Sequence, residues 1–174
     1  PSAVLRALGP CRPASYLGHL HRTRSAVLRA CAGSARRGHA SNGHGVWEAV
    51  AANLGSDQHS LLIAGSGHFS DQWAIQTEAL GLSVVRTPHQ DGQCIDVAAI
   101  EAALQADTQH RIAAVMAVQT DTASGMTSDM AAIRQAINRV GHPALFVVDV
   151  VASLAATPFD MDALGVDVCL GSSQ

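Results

Sequence analysis

From residue 41 onward, short unbroken apolar runs alternate with stretches whose apolar residues recur at helical spacing. No other feature constrains the fold as tightly. Residues 60–65 (SLLIAG) read as a buried strand, 82–85 and 112–118 as two more, and 144–148 (ALFVV) and 166–170 as the last two. Between them, 72–80 continues from Gly67 with Trp73, Ile75, Ala79 and Leu80 at helical spacing and stops at Gly81. A helix over 97–106 follows the capping Asp96, and one over 129–140 is stopped by Gly141 and Pro143. Strands with no polar alternation are buried on both faces, and amphipathic helices between them supply the cover. The expected class is α/β, a mostly parallel sheet with helices on both faces. In such sheets ligands bind beyond the carboxyl ends of the strands, so chemistry is sought just after each one.

Charge divides the chain at the same place. Residues 1–40 hold seven arginines (Arg6, Arg12, Arg22, Arg24, Arg29, Arg36, Arg37) and no acid, whereas every one of the 14 carboxylates lies from Glu48 onward. An acid-free Arg- and Ser-rich opening has the composition of a mitochondrial transit peptide or of a basic nucleic-acid arm. The nucleic-acid reading lacks aromatic interleaving beyond Tyr16, and no nucleic-acid partner is expected. All 11 basic residues are arginine, which excludes a Walker-A loop, a kinase β3 lysine and a Schiff base formed on these residues. No apolar run approaches the roughly 20 residues of a membrane span, so no membrane partner is expected. The four cysteines (Cys11, Cys31, Cys94, Cys169) fit no zinc or CxxC spacing, and the nine histidines are scattered, so no metal site is expected. Thiols without a disulfide framework are read as reduced, in a cytoplasmic protein.

Four places stand where a crevice should be. Ser41-Asn42-Gly43-His44-Gly45 runs directly into VWEAV; glycines at a helix start let backbone N–H groups approach a phosphate, although Ser41 or Asn42 could simply cap the helix. Gly65-Ser66-Gly67-His68-Phe69-Ser70 follows the strand LLIA and invites a dinucleotide reading. Its third glycine is replaced by Ser70, and the next strand ends at Arg86 rather than on an acid. Asp149 ends ALFVV, where a carboxylate can pair with a protonated ring nitrogen or cap the following turn. The fourth place is Cys169-Leu170-Gly171-Ser172-Ser173-Gln174.

The order of these places, quoted as SNGHGVWEAV, IAGSGHFSDQWA, QTDTASGM and LFVVDVVASLAATPFDMDALGVDVCLGSSQ, resembles the class V aminotransferases. Within them it is most similar to the serine–glyoxylate and alanine–glyoxylate group. The resemblance runs from about Ser41 to Gln174. It implies the large domain of a fold type I pyridoxal 5'-phosphate transferase, incomplete, with the small C-terminal domain absent. It also implies amino-acid and 2-oxo-acid substrates, a ping-pong transamination from serine or alanine to glyoxylate, and a homodimer for the full-length protein. Carried over by position, Gly43 and His44 would offer backbone N–H groups to the cofactor phosphate, with Gly45 permitting close approach. Phe69 would stack on the pyridine ring and Val151 would pack on its other face. Thr122 would lie near the phenolic oxygen, and Gln174 would reach the phosphate region. Asp149 would hold the pyridinium proton, the one role here that bears on catalysis.

The Schiff-base lysine of the family would follow Gln174 directly, and the chain holds no lysine, so it is expected to be inactive alone. Residues 1–8 (PSAVLRAL) resemble the family's opening, while 9–40 match nothing in it. Residues 1–40 are therefore expected to be an atypical basic segment, poorly ordered or frame-shifted, and 41–174 part of the cofactor-binding domain. Two other readings stay open. One is a non-catalytic dinucleotide-binding module on residues 65–70 and Arg86. The other is a cysteine desulfurase-like enzyme, for which a histidine would stack on the ring and Ser-x-His-Lys would replace the Gln174 segment.

Overall fold

A computed structural model describes residues 3–7, 35–39 and 42–172. Among these residues nine strands form, β1 (Ala3–Ala7), β2 (Ala35–His39), β3 (Ser60–Ile63), β4 (Val84–Arg86), β5 (Ile112–Val118), β6 (Thr120–Asp121), β7 (Met126–Thr127), β8 (Leu145–Asp149) and β9 (Val168–Ser172). Four helices among the described residues, α1 (Gly43–Leu54), α2 (His68–Ala79), α3 (Val97–Ala106) and α4 (Met130–Val140), lie between them. Seven strands make one sheet in the order β2-β1-β9-β8-β5-β3-β4, and β6 and β7 form a small separate ribbon. The run β9-β8-β5-β3-β4 is parallel throughout; β1 pairs antiparallel with both β9 and β2.

Period-two alternation sorts each apolar strand between two cores. Leu62 of β3, Val115 and Ala117 of β5, and Phe146 and Val148 of β8 face one core, packed against Ile100 and Leu104 of α3 and Ile133 and Ile137 of α4. Their sequence neighbours Leu61, Ile63, Ala114, Met116 and Val147 face the other, against Val46, Trp47, Val50 and Ala51 of α1 and Trp73 of α2. The α/β class with helices on both faces is thus the observed architecture.

Local chemistry sets the helix ends. Asp96 accepts from the N–H groups of Ala98 and Ala99 to start α3, and Asp129 accepts from that of Ala132 to start α4. Gly141 ends α4 in the left-handed conformation at φ 69°, where a side chain would be strained. Two strand expectations move. The segment expected at 82–85 pairs only from Val84, because Gly81 at φ 78° and the two residues after it carry the chain out of α2 before Leu61 and Val84 meet. The strand expected at 166–170 pairs over Val168–Ser172, two residues further on.

From β3 the chain crosses to β4 on one side, then returns to β5 on the other. The carboxyl ends of β3, β5 and β8 therefore open where the winding reverses, the usual ligand position in such sheets. No helix among the described residues is long and apolar enough to cross a membrane.

Candidate functional site

The floor of this crevice is Asp149. As the last residue of a strand buried on both faces, its carboxyl is carried into the interior, only 4% exposed. Oδ1 accepts from the N–H of Val151 at 2.7 Å, and Oδ2 from the Trp47 indole Nε1–H at 2.6 Å. No cation pairs with it among the described residues, and burial pushes its pKa up to about 6 despite the two N–H donors. A carboxylate so placed is an anion site in need of a positive partner.

One wall is the start of α1. Asn42 is its N-cap and accepts from the Gly45 N–H at 3.2 Å. Helix geometry leaves the N–H groups of Gly43 and His44 without intrahelical partners, at the positive end of the helix dipole. Gly43 lies against Val151: a Cβ there would stand in ordinary contact, 3.6 Å from Val151 Cγ2. The N-terminal end of α1 and Val151, two residues past the end of β8, are therefore neighbours.

The other wall is the start of α2. Gly67, its N-cap, has φ 137°, and a Cβ there would stand 2.9 Å from Asp121 Oδ2. Asp121 is fully buried; Oδ2 accepts from the Phe69 N–H at 2.9 Å and Oδ1 from the Ala123 N–H at 2.9 Å. One side chain thus ties the turn bearing Thr122 to the helix bearing Phe69. Phe69, half-buried, meets Trp47 edge-on with ring centroids 6.4 Å apart, and the His44 ring lies 4.7 Å from that of Trp47.

Of the residues singled out from sequence, Gly43, His44, Gly45, Phe69, Thr122, Asp149 and Val151 all lie on elements that open at this end of the sheet. Gln174 and Ser41 lie outside the described residues. Two residues escaped the sequence reading. Trp47 falls among the apolar positions of α1 and looks like core, yet its indole N–H is a polar handle one turn after Gly43. Asp121 adjoins Thr122 in QTDTASGM; its buried partner at Phe69 lies 52 residues away and leaves no mark in the local pattern. The groups a dinucleotide would need are already bonded: the Ser66 and Gly67 N–H groups go to Ser70 Oγ, and Arg86 pairs with Glu78 on the surface. No cluster of three or more His, Cys, Asp or Glu is placed to hold a metal among the described residues.

A family model described as aminotransferase class-V matches residues 40–174. The chain is 40% identical over 134 residues to a serine–glyoxylate aminotransferase of Methylorubrum extorquens, covering 77% of this chain and 33% of that protein. It is 40% identical over 136 residues to an L-aspartate–glyoxylate aminotransferase of Paracoccus denitrificans, covering 77% and 34%. Among solved structures, an alanine–glyoxylate aminotransferase from Nostoc sp. superposes with a TM-score of 0.64 at 25% identity, covering 74% of this chain and 33% of that one. The chain spans about a third of the length of the relatives it matches.

Proposed function

Because the chain belongs to the class-V aminotransferase family, we propose that its described residues form one cofactor half-site of a pyridoxal 5'-phosphate-dependent transaminase. The reading takes serine or alanine as amino donor and glyoxylate as acceptor, in line with the names of its relatives. A homodimer for the complete protein and a cytoplasmic location belong to the same proposal.

The observation that carries it is Asp149, a buried carboxylate with no cation beside it among the described residues and a pKa of about 6, at the carboxyl end of a central strand. The residues present fit the group. The N–H groups at the start of α1, which have no intrahelical partners, suit a phosphate, the Asp149 carboxylate suits a protonated ring nitrogen, and Phe69 offers an aromatic face. When bound, pyridoxal phosphate supplies an electron sink for charge developing at the substrate α-carbon. The chain's own part is then definite. Gly43 and His44 orient by backbone N–H bonds, while Phe69 and Val151 confine a flat ring and exclude water from its faces. Asp149 keeps a proton on the ring nitrogen by remaining ionised opposite it. Thr122 presents a hydroxyl from the turn that Asp121 fixes. No residue of the 174 is a lysine, so no side-chain amine is present to hold the cofactor covalently or to carry the α-proton.

The test is binding of pyridoxamine 5'-phosphate, which needs no lysine, followed by the ligand's own fluorescence. Saturable binding is expected, weakened by about tenfold or more in Asp149→Ala, the scale of a lost hydrogen bond between charged groups. Absence of saturable binding, or equal binding by the variant, overturns the reading. The same polypeptide is expected to give no transamination, and turnover of serine and glyoxylate above the protein-free rate would show that another group replaces the lysine.

A further inference from the structure

We propose that Trp47 is a positioning residue for Asp149, its indole N–H aiming the carboxylate at the cofactor's ring nitrogen. The role rests on the cofactor reading of the site and deepens it.

A carboxylate anchored through one oxygen can still swing about its Cβ–Cγ bond. Here both oxygens are held, Oδ1 by the Val151 N–H and Oδ2 by the Trp47 indole, so the plane of the group is fixed. An ionised carboxylate has about four acceptor sites, so each oxygen keeps one for a further donor. The indole N–H is a donor only. It can therefore stabilise the ionised carboxylate and can do nothing for a protonated carboxyl hydroxyl aimed at it.

The indole is itself immobilised. It is 3% exposed and stacked on Trp73, with ring centroids 5.3 Å apart and planes 13° apart, and Phe69 closes on it edge-first. Trp73 Nε1 is buried with no acceptor among the described residues, so of the two stacked indoles only that of Trp47 has its N–H bonded there, to Asp149. Trp47 also follows Gly43 by about one helical turn, roughly 5.4 Å of rise. One rigid helix thus presents N–H groups to a phosphate at its tip and holds the ring-nitrogen carboxylate one turn later. Without the indole, a carboxyl buried this deeply would take up a proton at higher pH and could no longer hold the proton of a ring nitrogen.

The chain has two tryptophans and hence two indole N–H resonances, which 1H–15N spectra resolve, with assignment by Trp73→Phe. In the ligand-free chain the Trp47 signal is expected to titrate with a midpoint near 6 while the Trp73 signal stays flat. The only other titratable ring against Trp47 is that of His44 among the described residues, so the measurement is repeated in Asp149→Asn, where the transition should vanish. Saturation with pyridoxamine 5'-phosphate should abolish it too, because the ring cation keeps the carboxylate ionised. Trp47→Phe, which keeps an aromatic ring and loses the donor, should bind that ligand about tenfold more weakly, with the loss growing as pH falls from 8 to 6.

A flat Trp47 signal, a transition that survives Asp149→Asn, or wild-type affinity in Trp47→Phe overturns the role. The wild-type spectra stand whether or not Trp47→Phe folds. If the Trp47 signal titrates as expected and the wild-type chain binds no pyridoxamine 5'-phosphate, the cofactor reading has failed and takes this role with it. If the ligand binds and the signal is flat, this role alone has failed.

Discussion

Asp149 sets a conflict between stability and function at a single residue. Its carboxyl titrates near 6 when folded, against an ordinary value of 3.8. The native state therefore binds its proton more tightly than the unfolded state does. Stability from this group is complete below about pH 4 and is lost as pH rises through about 6, where the fold must hold a buried charge with no cation beside it among the described residues. At about 1.4 kcal/mol per pH unit, the loss is on the order of 3 kcal/mol. Asp149→Asn has no such charge, so its stability relative to wild type should improve by that order between pH 4 and pH 7.5. Urea unfolding at the two pH values measures the difference, and a pH-independent difference would refute the assignment. A carboxylate that costs stability at neutral pH when alone is expected where a ligand supplies the missing cation.

Helix ends show what can be read locally and what cannot. The caps Asp96 and Asp129 and the stop at Gly141 are short-range chemistry, and α3 and α4 begin and end where the sequence indicates. Replacing Asp129 by Ala should cost about 1 kcal/mol, read as a lower urea midpoint with unchanged slope. The start of α2 obeys a different rule. Gly67 was legible as a loop glycine, but its φ of 137° and the Asp121 carboxylate 2.9 Å from a would-be Cβ are set by a residue far along the chain. Gly67→Ala should therefore cost at least 2 kcal/mol, more than a glycine in open space such as Gly141, where nothing lies within 4 Å of a would-be Cβ. Comparable midpoints for the two alanine variants would show that Asp121 yields to the added methyl. The same distinction divides the candidate site. Gly43 and Asp149 stand out at a helix start and a strand end, whereas the Trp47–Asp149 bond joins residues 102 apart and has no periodic signature. The resemblance marked ligand-facing positions, and the side chains that steady them from behind needed the fold.

Across the whole molecule the parallel order β9-β8-β5-β3-β4 follows from buried runs alternating with helices, but its flank does not. A basic, acid-free opening gave no reason to expect strands from it in the central sheet. Yet β1 lies antiparallel on β9 in the register Ala3↔Ser172, Leu5↔Leu170, Ala7↔Val168, and β2 lies outside it. Pairing of residues so distant in sequence is decided by the open edge of β9, whose Val168, Cys169, Leu170 and Gly171 are buried. An uncovered strand of that kind offers a row of unpaired N–H and C=O groups flanked by apolar side chains, a template for another chain. Removing residues 1–40 should accordingly leave a polypeptide that associates through β9 and elutes as high-order species in size-exclusion chromatography, while the 174-residue chain is less aggregated at the same concentration. Leu170→Lys on the truncated background is a poor remedy, because that side chain faces the core with Val46 and Trp47. A remedy at the backbone should work instead. A synthetic peptide of residues 1–8 added in excess should restore the smaller species, and a peptide of the same composition in scrambled order should not. If the truncated chain stays as well dispersed as the complete one, then β1 and β2 are dispensable to the sheet, and the arginine-rich opening contributes nothing to holding the Asp149 strand in place.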